Sequence, residues 1–148
     1  MWPRPVGRGK QMGIHSEAQL DRKYMEMIKL LNVYLNHFPR HEKYALANRI
    51  RNTAYGLYEH MVEAQKRYHK KTALSALDVA HETLRMQIRL AHELGYFRFK
   101  DGKEAEKSVE QQEAKRLIAI GEKVDELGRM IGGWINHEQN KGGALTCA

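Results

Sequence analysis

The residues whose chemistry suits catalysis or metal binding are eight histidines and one cysteine, and their spacing supports neither role. There is no His-Glu-x-x-His run, and no glutamate is followed three residues later by a histidine, so the Glu-x-x-His ligands of a di-iron bundle are missing. His81 lies in an apolar helical stripe, where a buried, hydrogen-bonded side chain is the simplest interpretation. Cys147 has no neighbours that would activate its thiol, and there is no Gly-x-Ser-x-Gly motif and no phosphate-binding glycine loop. The sequence therefore predicts a non-enzymatic protein with no cofactor, no metal and no small-molecule substrate.

Arg85 and Arg89, one helical turn apart, are the side chains best suited to bind a partner. Like charges at this spacing repel weakly, and Glu82 and Glu93 are close enough in sequence to offset the repulsion with ion pairs. A purely structural set of ion pairs is one interpretation. The other is that the two guanidinium groups bind an acidic or phosphate-bearing partner, for which planar, forked donors are well suited.

The net charge of +7 is concentrated in two stretches of the chain. Residues 1–16 contain three basic and no acidic side chains, and residues 40–71 contain eight basic side chains against three acidic ones. Clustered cations favour polyanions because phosphate binding releases counterions. We therefore predict a nucleic-acid-binding surface formed by Arg40, Lys43, Arg49, Arg51, Lys66, Arg67, Lys70 and Lys71.

Apolar residues three and four apart predict four amphipathic helices that position these side chains. The first helix opens at Ser16, where Ser-x-x-Gln matches a capping box, and stops at Pro39. The second follows Pro39 and runs to about Lys70. The third begins near Thr72, taken as its N-cap, and ends at Gly95.

The fourth helix begins within residues 104–111, where Ser108-x-x-Gln matches another capping box. Its segment LIAIGEKVDELGRMIGGWI has the strongest periodicity, with apolar residues at 3-4-3-4-3 spacing. Gly128 and Gly132 lie beside this stripe, where we expect a neighbouring backbone to approach closely. Before this helix, residues 96–100 alternate like a strand, but no second alternating run follows to pair with them, so we assign them to a loop.

Four such helices predict an all-α, up-down-up-down four-helix bundle, although other all-helical packings remain open. We assign residues 16–138 to the bundle, residues 1–15 to a flexible basic tail and residues 139–148 to a flexible C-terminal tail. Cys147 has no intrachain partner, no run approaches the ~20 apolar residues of a membrane span, and the N-terminal residues lack the apolar centre of a secretory signal. We therefore expect a cytoplasmic protein that does not enter a membrane.

The second and third helices carry more apolar surface than one bundle core requires. On the second helix a tyrosine-rich face lies roughly 120° from the core stripe, and the third helix has a comparable apolar face. Tyrosine-rich faces are typical of interfaces, so we predict a homo-oligomer, unless one wide core buries both faces. The predicted interface residues are Tyr44, Tyr55, Tyr58, Val62, Met86 and Leu90.

Three segments resemble the accessory variability determinant (Avd) proteins of diversity-generating retroelements. They are FPRHEKYALANRI at residues 38–50, LRMQIRLAHELGY at residues 84–96 and DELGRMIGGWI at residues 125–135. The similarity extends over roughly residues 20–137. These proteins belong to a wider group of four-helix bundles that includes proteins encoded by intervening sequences in bacterial 23S ribosomal RNA genes.

The resemblance implies a basic, barrel-like, ring-shaped homopentamer of bundles that binds the element's reverse transcriptase and its template RNA, or the RNA/cDNA product, and supports mutagenic cDNA synthesis. Arginines that the family uses for partner binding match Arg85 and Arg89, which implies that these two contact the reverse transcriptase. The segment 97–112 and the N-terminal tail depart from the family pattern and bear on the partner surface or the subunit number. A structural or RNA-binding bundle of the ribosomal intervening-sequence type is the alternative, and gene neighbourhood distinguishes the two.

Overall fold

The computed structural model describes residues 14–102 and 107–146, and this part of the chain forms four α-helices and one short 3-10 helix, without a strand. The helices are α1 (Ile14–Asn36), α2 (Leu46–Lys66), α3 (Lys71–Glu93) and α4 (Val109–Thr146), and the 3-10 helix is Arg40–Glu42. α1 packs on α2, α2 on α3, α3 on α4, and α4 back on α1. The predicted all-α class is therefore confirmed, and the four helices form a bundle.

Contacts between side chains show that neighbouring helices run antiparallel. Near the start of α1, Asp21 Oδ1 accepts a 3.0 Å hydrogen bond from the Tyr58 hydroxyl. Farther along α1, Asn32 Oδ1 accepts a 3.1 Å hydrogen bond from Arg51 Nε. The residue number thus rises on α1 as it falls on α2, and the same reversal is seen between α3 and α4.

The apolar stripes predicted from the spacing form one core along the middle of the bundle. On α4 the stripe continues to Trp134, which is buried, so this helix does not fray at the glycine pair that precedes it. Burying a leucine- or isoleucine-sized side chain contributes about 1.5–3 kcal/mol, so packing of the stripes stabilises these helices more than local propensity does. The fully buried members include Leu20, Met27, Leu31, Ile50, Leu57, Leu77, Leu84, Ile120, Leu127 and Ile131.

Two predicted helix ends have the expected geometry. At the start of α4, the Ser108 hydroxyl accepts a 3.1 Å hydrogen bond from Gln111 N, and the Gln111 side-chain oxygen accepts one of 3.0 Å from Ser108 N. These reciprocal bonds are a complete capping box. At the end of α3, Gly95 has a φ of +79°, and the two backbone hydrogen bonds of a Schellman motif close the helix. Glycine adopts this left-handed conformation at little steric cost.

The predicted caps of α1 and α3 are wrong. α1 already begins at Ile14, so Ser16 lies inside the helix and is not its N-cap. α3 begins at Lys71 with Lys70 in the N-cap position, so Thr72 is not the cap. Side-chain capping is one of several ways to satisfy the first N–H groups of a helix, and a sequence pattern alone does not select among them.

The start of α2 and the end of α4 also differ from the prediction. After Pro39 the chain first forms the 3-10 helix, and α2 begins at Leu46, whose N–H donates a 3.0 Å hydrogen bond to the Glu42 carboxylate. α4 continues to Thr146, past the predicted bundle boundary at residue 138. No proline stops it, and glycine weakens a helix without removing a hydrogen bond. Cys147 and the predicted N-terminal tail up to residue 13 lie outside the described residues.

The predicted close approach beside α4 occurs at one glycine of the two. A Cβ added at Gly128 would lie 2.6 Å from His81 Cε1, so the neighbour there is a side chain of α3 and not backbone. A Cβ added at Gly132 would meet no neighbouring group within 4 Å, and that part of the prediction is wrong. His81 is buried with its Nε2 2.8 Å from Val124 O, which confirms the interpretation of a buried, hydrogen-bonded histidine. None of the described helices is both long enough and apolar enough to span a membrane.

Candidate partner-binding surface

The outward side of α3 carries an apolar strip that the bundle core does not use. Its members Val79, Met86 and Leu90 recur seven and four residues apart, so they share one side of the helix. Met86 and Leu90 are 45% and 48% exposed. With Thr83 and Gln87 they line a shallow, open groove. We call Val79, Met86 and Leu90 the α3 strip.

Arg85 lies beside the α3 strip and is held by Glu82. Its Nε and Nη2 donate to the two oxygens of the Glu82 carboxylate at 3.0 and 2.6 Å. These hydrogen bonds raise the pKa of Arg85 and lower the pKa of Glu82. Both side chains are about half exposed, and an ion pair in such a position contributes little to stability. A carboxylate or phosphate of a partner can therefore replace Glu82 on the guanidinium at small cost.

Arg89 is exposed one turn farther along α3. Within the part of the chain that the structure describes, no carboxylate lies within ion-pair distance of it. Glu93, its predicted neighbour, lies 3.9 Å from His92 instead. The pairing predicted for this region is thus present at Arg85 and not seen at Arg89, which leaves Arg89 the more available of the two.

The strip and the arginines together form a surface with an apolar centre and a cationic edge. Glu82 belongs to both parts, because it lines the groove and binds Arg85. On the side away from the groove, Arg85 lies towards α4, where Asp125 acts on it electrostatically. An apolar centre with a charged, solvent-accessible edge is the composition of many protein interfaces. The arrangement suits a protein partner with apolar and acidic groups.

The tyrosine-rich face of α2 is smaller than predicted. Tyr55 and Val62 are somewhat less than half exposed, and Tyr44, in the connection before α2, is 92% exposed. Tyr58 is only partly exposed, because its ring centroid lies 4.8 Å from that of Tyr24 and its hydroxyl donates to Asp21. Since α1 covers that edge of α2, Tyr58 is less available to a second copy than Tyr55 is.

The exposed cations lie at the two ends of α2. Near its N-terminal end are Arg40, Lys43 and Arg49, and near its C-terminal end are Lys66, Arg67 and Lys71. α2 has 21 residues, and at about 1.5 Å per residue the two groups are roughly 30 Å apart. The predicted single basic surface is therefore two separate basic ends.

Two of the predicted nucleic-acid-binding residues are engaged within the bundle. Lys70 is 6% exposed, and its ammonium donates to the backbone oxygens of Ala64, Gln65 and Arg67. Burial lowers the pKa of Lys70. Arg51 is half-buried and donates to the side-chain oxygens of two asparagines on α1. Lys70 is removed from the set, because its ammonium faces the C-terminal end of α2 and not solvent.

Arg116 organises the connection between α3 and α4, and no sequence motif marks it. Its Nη1 donates to Phe97 O at 2.8 Å and to Phe99 O at 2.7 Å, and its guanidinium carbon lies 3.7 Å from the centroid of the Phe99 ring. An Asp101 oxygen lies 3.4 Å from Nη2. Arg116 precedes the core residue Ile120 by four residues, so the two lie on the same side of α4. This spacing is the one feature of the sequence that indicates a buried position for Arg116. The loop assignment for residues 96–100 is confirmed.

Among the described residues, no group of three histidine, cysteine, aspartate or glutamate side chains is arranged to hold a metal ion.

One comparison with known proteins gives a match. A family model described as bAvd-like matches residues 19–112, which include α2, α3, both arginines and both basic ends. The match stops before the DELGRMIGGWI segment of α4. No curated protein and no solved structure matches the chain.

Proposed function

The chain belongs to the bAvd-like family, whose model matches more than half of its length, and on this premise we propose that it is a non-enzymatic accessory protein of a diversity-generating retroelement. It binds the element's reverse transcriptase and template RNA and supports mutagenic cDNA synthesis, while the polymerase carries out the chemistry. The observation that carries the proposal is the outward side of α3, where an apolar strip and two exposed arginines lie side by side within the matched residues.

Arg85 and Arg89 contact the reverse transcriptase in this proposal. Arg89 offers an exposed guanidinium without an ion pair among the described residues, and Arg85 offers one whose present partner is half exposed. Bidentate pairing with carboxylates gives such contacts both strength and orientation.

The α3 strip covers a second copy of the chain in the same proposal, and the resemblance to Avd proteins gives five subunits. Met86 and Leu90 supply apolar area, and Tyr55 and Val62 on α2 add to it. Since the arginines border the strip, an assembly that buries the strip leaves them at its edge, where they remain accessible to the polymerase.

The exposed cations at the two ends of α2 hold the phosphates of the RNA. Contacts of this kind position a nucleic acid without reading its sequence, and they weaken steeply as salt is added.

Co-purification with the reverse transcriptase tests the proposal. We expect Arg85→Ala combined with Arg89→Ala to abolish association, because it removes both guanidinium donors. The fold is expected to survive, since both side chains are exposed, and circular dichroism checks that helicity is unchanged. As a matched control, Arg22→Ala combined with Arg129→Ala removes the same charge from exposed positions on α1 and α4 and leaves association intact. Retention of the polymerase by the first variant, or its equal loss from both, would show that these arginines are not the contact.

A further inference from the structure

The turn between α2 and α3 presents a bare aromatic ring. Tyr68 in this turn is 87% exposed, and the ring contact that it makes is an edge-to-face one with His69, at 4.8 Å between centroids. Packing in the bundle does not explain a tyrosine at this position, because almost all of its surface is in solvent.

The turn that carries Tyr68 is held in place by Lys70. The Lys70 ammonium donates to three backbone oxygens at the C-terminal end of α2, at 2.7, 3.1 and 2.9 Å. These bonds fix the backbone on both sides of Tyr68, because one acceptor is Arg67 O and the donor is Lys70 itself. A ring on a fixed backbone loses less conformational entropy on binding than a ring on a loose loop.

The charges around the ring favour an anion. Lys66 and Lys71 are exposed and pair with no carboxylate in the described residues, and Arg67 pairs with Glu63 at 3.0 Å. The carboxylates of Glu17 and Glu138 act on the buried Lys70. The ammonium of Lys70 also offsets the negative end of the α2 dipole, whereas the N-terminus of α3 has no side-chain cap.

We infer that Tyr68 is a stacking residue for an unpaired base of RNA, whose backbone is held by Lys66, Arg67 and Lys71. This inference rests on the proposed function and adds the form of RNA that is bound. Every base has a face that can stack on a tyrosine, but only a single strand or a loop can turn a base out to reach it. A duplex engages the cations alone.

Fluorescence anisotropy with the full-length protein tests this inference with two labelled probes, a uridine-rich single strand and an RNA duplex of the same charge. Tyr68→Ala is expected to weaken single-strand binding by about 5- to 100-fold and to leave duplex binding unchanged. Tyr68→Phe keeps the ring and retains wild-type affinity. Tyr68→Leu keeps apolar area without an aromatic face and behaves like Tyr68→Ala.

Two controls separate stacking from charge. Ile118→Ala removes an exposed apolar side chain from α4, outside the α3 strip and the basic ends, and leaves single-strand affinity unchanged. Lys66→Ala combined with Lys71→Ala weakens both probes and reduces the salt dependence. On the single strand, the log–log slope falls by roughly 0.7 for each phosphate that the protein no longer neutralises.

The outcomes distinguish the two proposals. If the wild-type protein binds neither probe, RNA binding in the proposed function is wrong, and the stacking role falls with it. The stacking role alone is wrong if the wild-type protein binds RNA but Tyr68→Ala and Tyr68→Leu bind the single strand as tightly as the wild type does. It is also wrong if these variants lose affinity for the single strand and for the duplex to the same extent.

Discussion

At the scale of single residues, the absence of a side chain at Gly128 allows α3 to pack closely on α4. The imidazole of His81 occupies the space that a side chain at position 128 would need, with Nε2 2.9 Å from the position of a Cβ there. The ring is buried and bonded to Val124 O, so it cannot move away without giving up that hydrogen bond. Gly132, one turn later, faces open space. The same residue type is required for packing at one position and is dispensable at the other.

We therefore expect opposite effects from two alanine substitutions in α4. Gly128→Ala destabilises the protein by about 1–3 kcal/mol, because His81 must shift or the helices must separate. Gly132→Ala stabilises it by up to about 1 kcal/mol, because alanine favours the helix and meets no neighbour. Urea unfolding followed by circular dichroism measures both.

The cause of the Gly128→Ala effect is checked in a His81→Ala background. There the imidazole is gone, and Gly128→Ala is expected to lose most of its penalty, which a double-mutant cycle quantifies. An equal penalty with and without His81, or destabilisation by both glycine substitutions, would contradict the packing explanation.

At the scale of elements, a charged side chain forms hydrogen bonds with backbone atoms in each connection between helices. Lys70 closes the α2–α3 turn, and Arg116 holds the backbone after α3. In the α1–α2 connection, the Glu42 carboxylate accepts hydrogen bonds from Leu46 N at 3.0 Å and from the Tyr96 hydroxyl at 2.9 Å. Glu42 thus caps α2 and joins the two connections at one end of the bundle.

The role of Glu42 predicts a pH dependence of stability. The hydrogen bonds from Leu46 N and Tyr96 lower its pKa from the ordinary 4.5, so the folded state favours the carboxylate. The resulting stabilisation is fully present above the ordinary pKa and is lost as the pH falls through the lowered value. Glu42→Gln is expected to be less stable than the wild type at neutral pH, and the difference is expected to shrink towards zero as the pH falls below the lowered pKa of Glu42.

Urea unfolding of the wild type and Glu42→Gln across this pH range makes the test. Glu110→Gln serves as a control, since Glu110 is exposed and its ion pair with Arg98 is long and weak, at 3.9 Å. A difference between the wild type and Glu42→Gln that stays constant or grows as the pH falls would contradict the capping role.

At the scale of the whole molecule, the bundle separates its surfaces in space. The α3 strip lies on the side of the bundle, and the exposed cations lie at the two ends of α2, roughly 30 Å apart by helix length. In the proposed assembly, a second copy covers the side of the bundle while the basic ends remain open to RNA.

The strip is expected to be required for self-association. Met86→Glu combined with Leu90→Glu places two carboxylates in an apolar contact, where burying them without partners is unfavourable. We expect the wild type to sediment as an oligomer and this variant to sediment as a folded single chain in analytical ultracentrifugation.

The matched control adds the same charges to other faces. Val33 on α1 and Ile118 on α4 are also exposed apolar residues, and Val33→Glu combined with Ile118→Glu is expected to leave the assembly intact. A monomeric wild type would refute self-association, and equal dissociation of both variants would place the interface elsewhere.

Much of this architecture follows from periodicity and local signals. Leu127 and Ile131 belong to the apolar stripe of α4, whose spacing places its members on one side of a helix. Both residues are fully buried, as this spacing predicts. Ser108 and Gly95 end their helices through hydrogen bonds with residues close in sequence. Signals that act within one turn of chain can be read without knowledge of the fold.

The sequence by itself thus determined the number of helices, their buried sides, two of their ends and the family of the chain. Only the tertiary structure decided that α1 covers part of Tyr58, that Lys70 faces inward, that Arg116 binds the backbone of a distant loop, and that Gly128 but not Gly132 meets a neighbour. The physical reason is that periodicity along a helix tells which side is buried, whereas the contacts of a side chain at the border of that side depend on what the adjacent helix places opposite it.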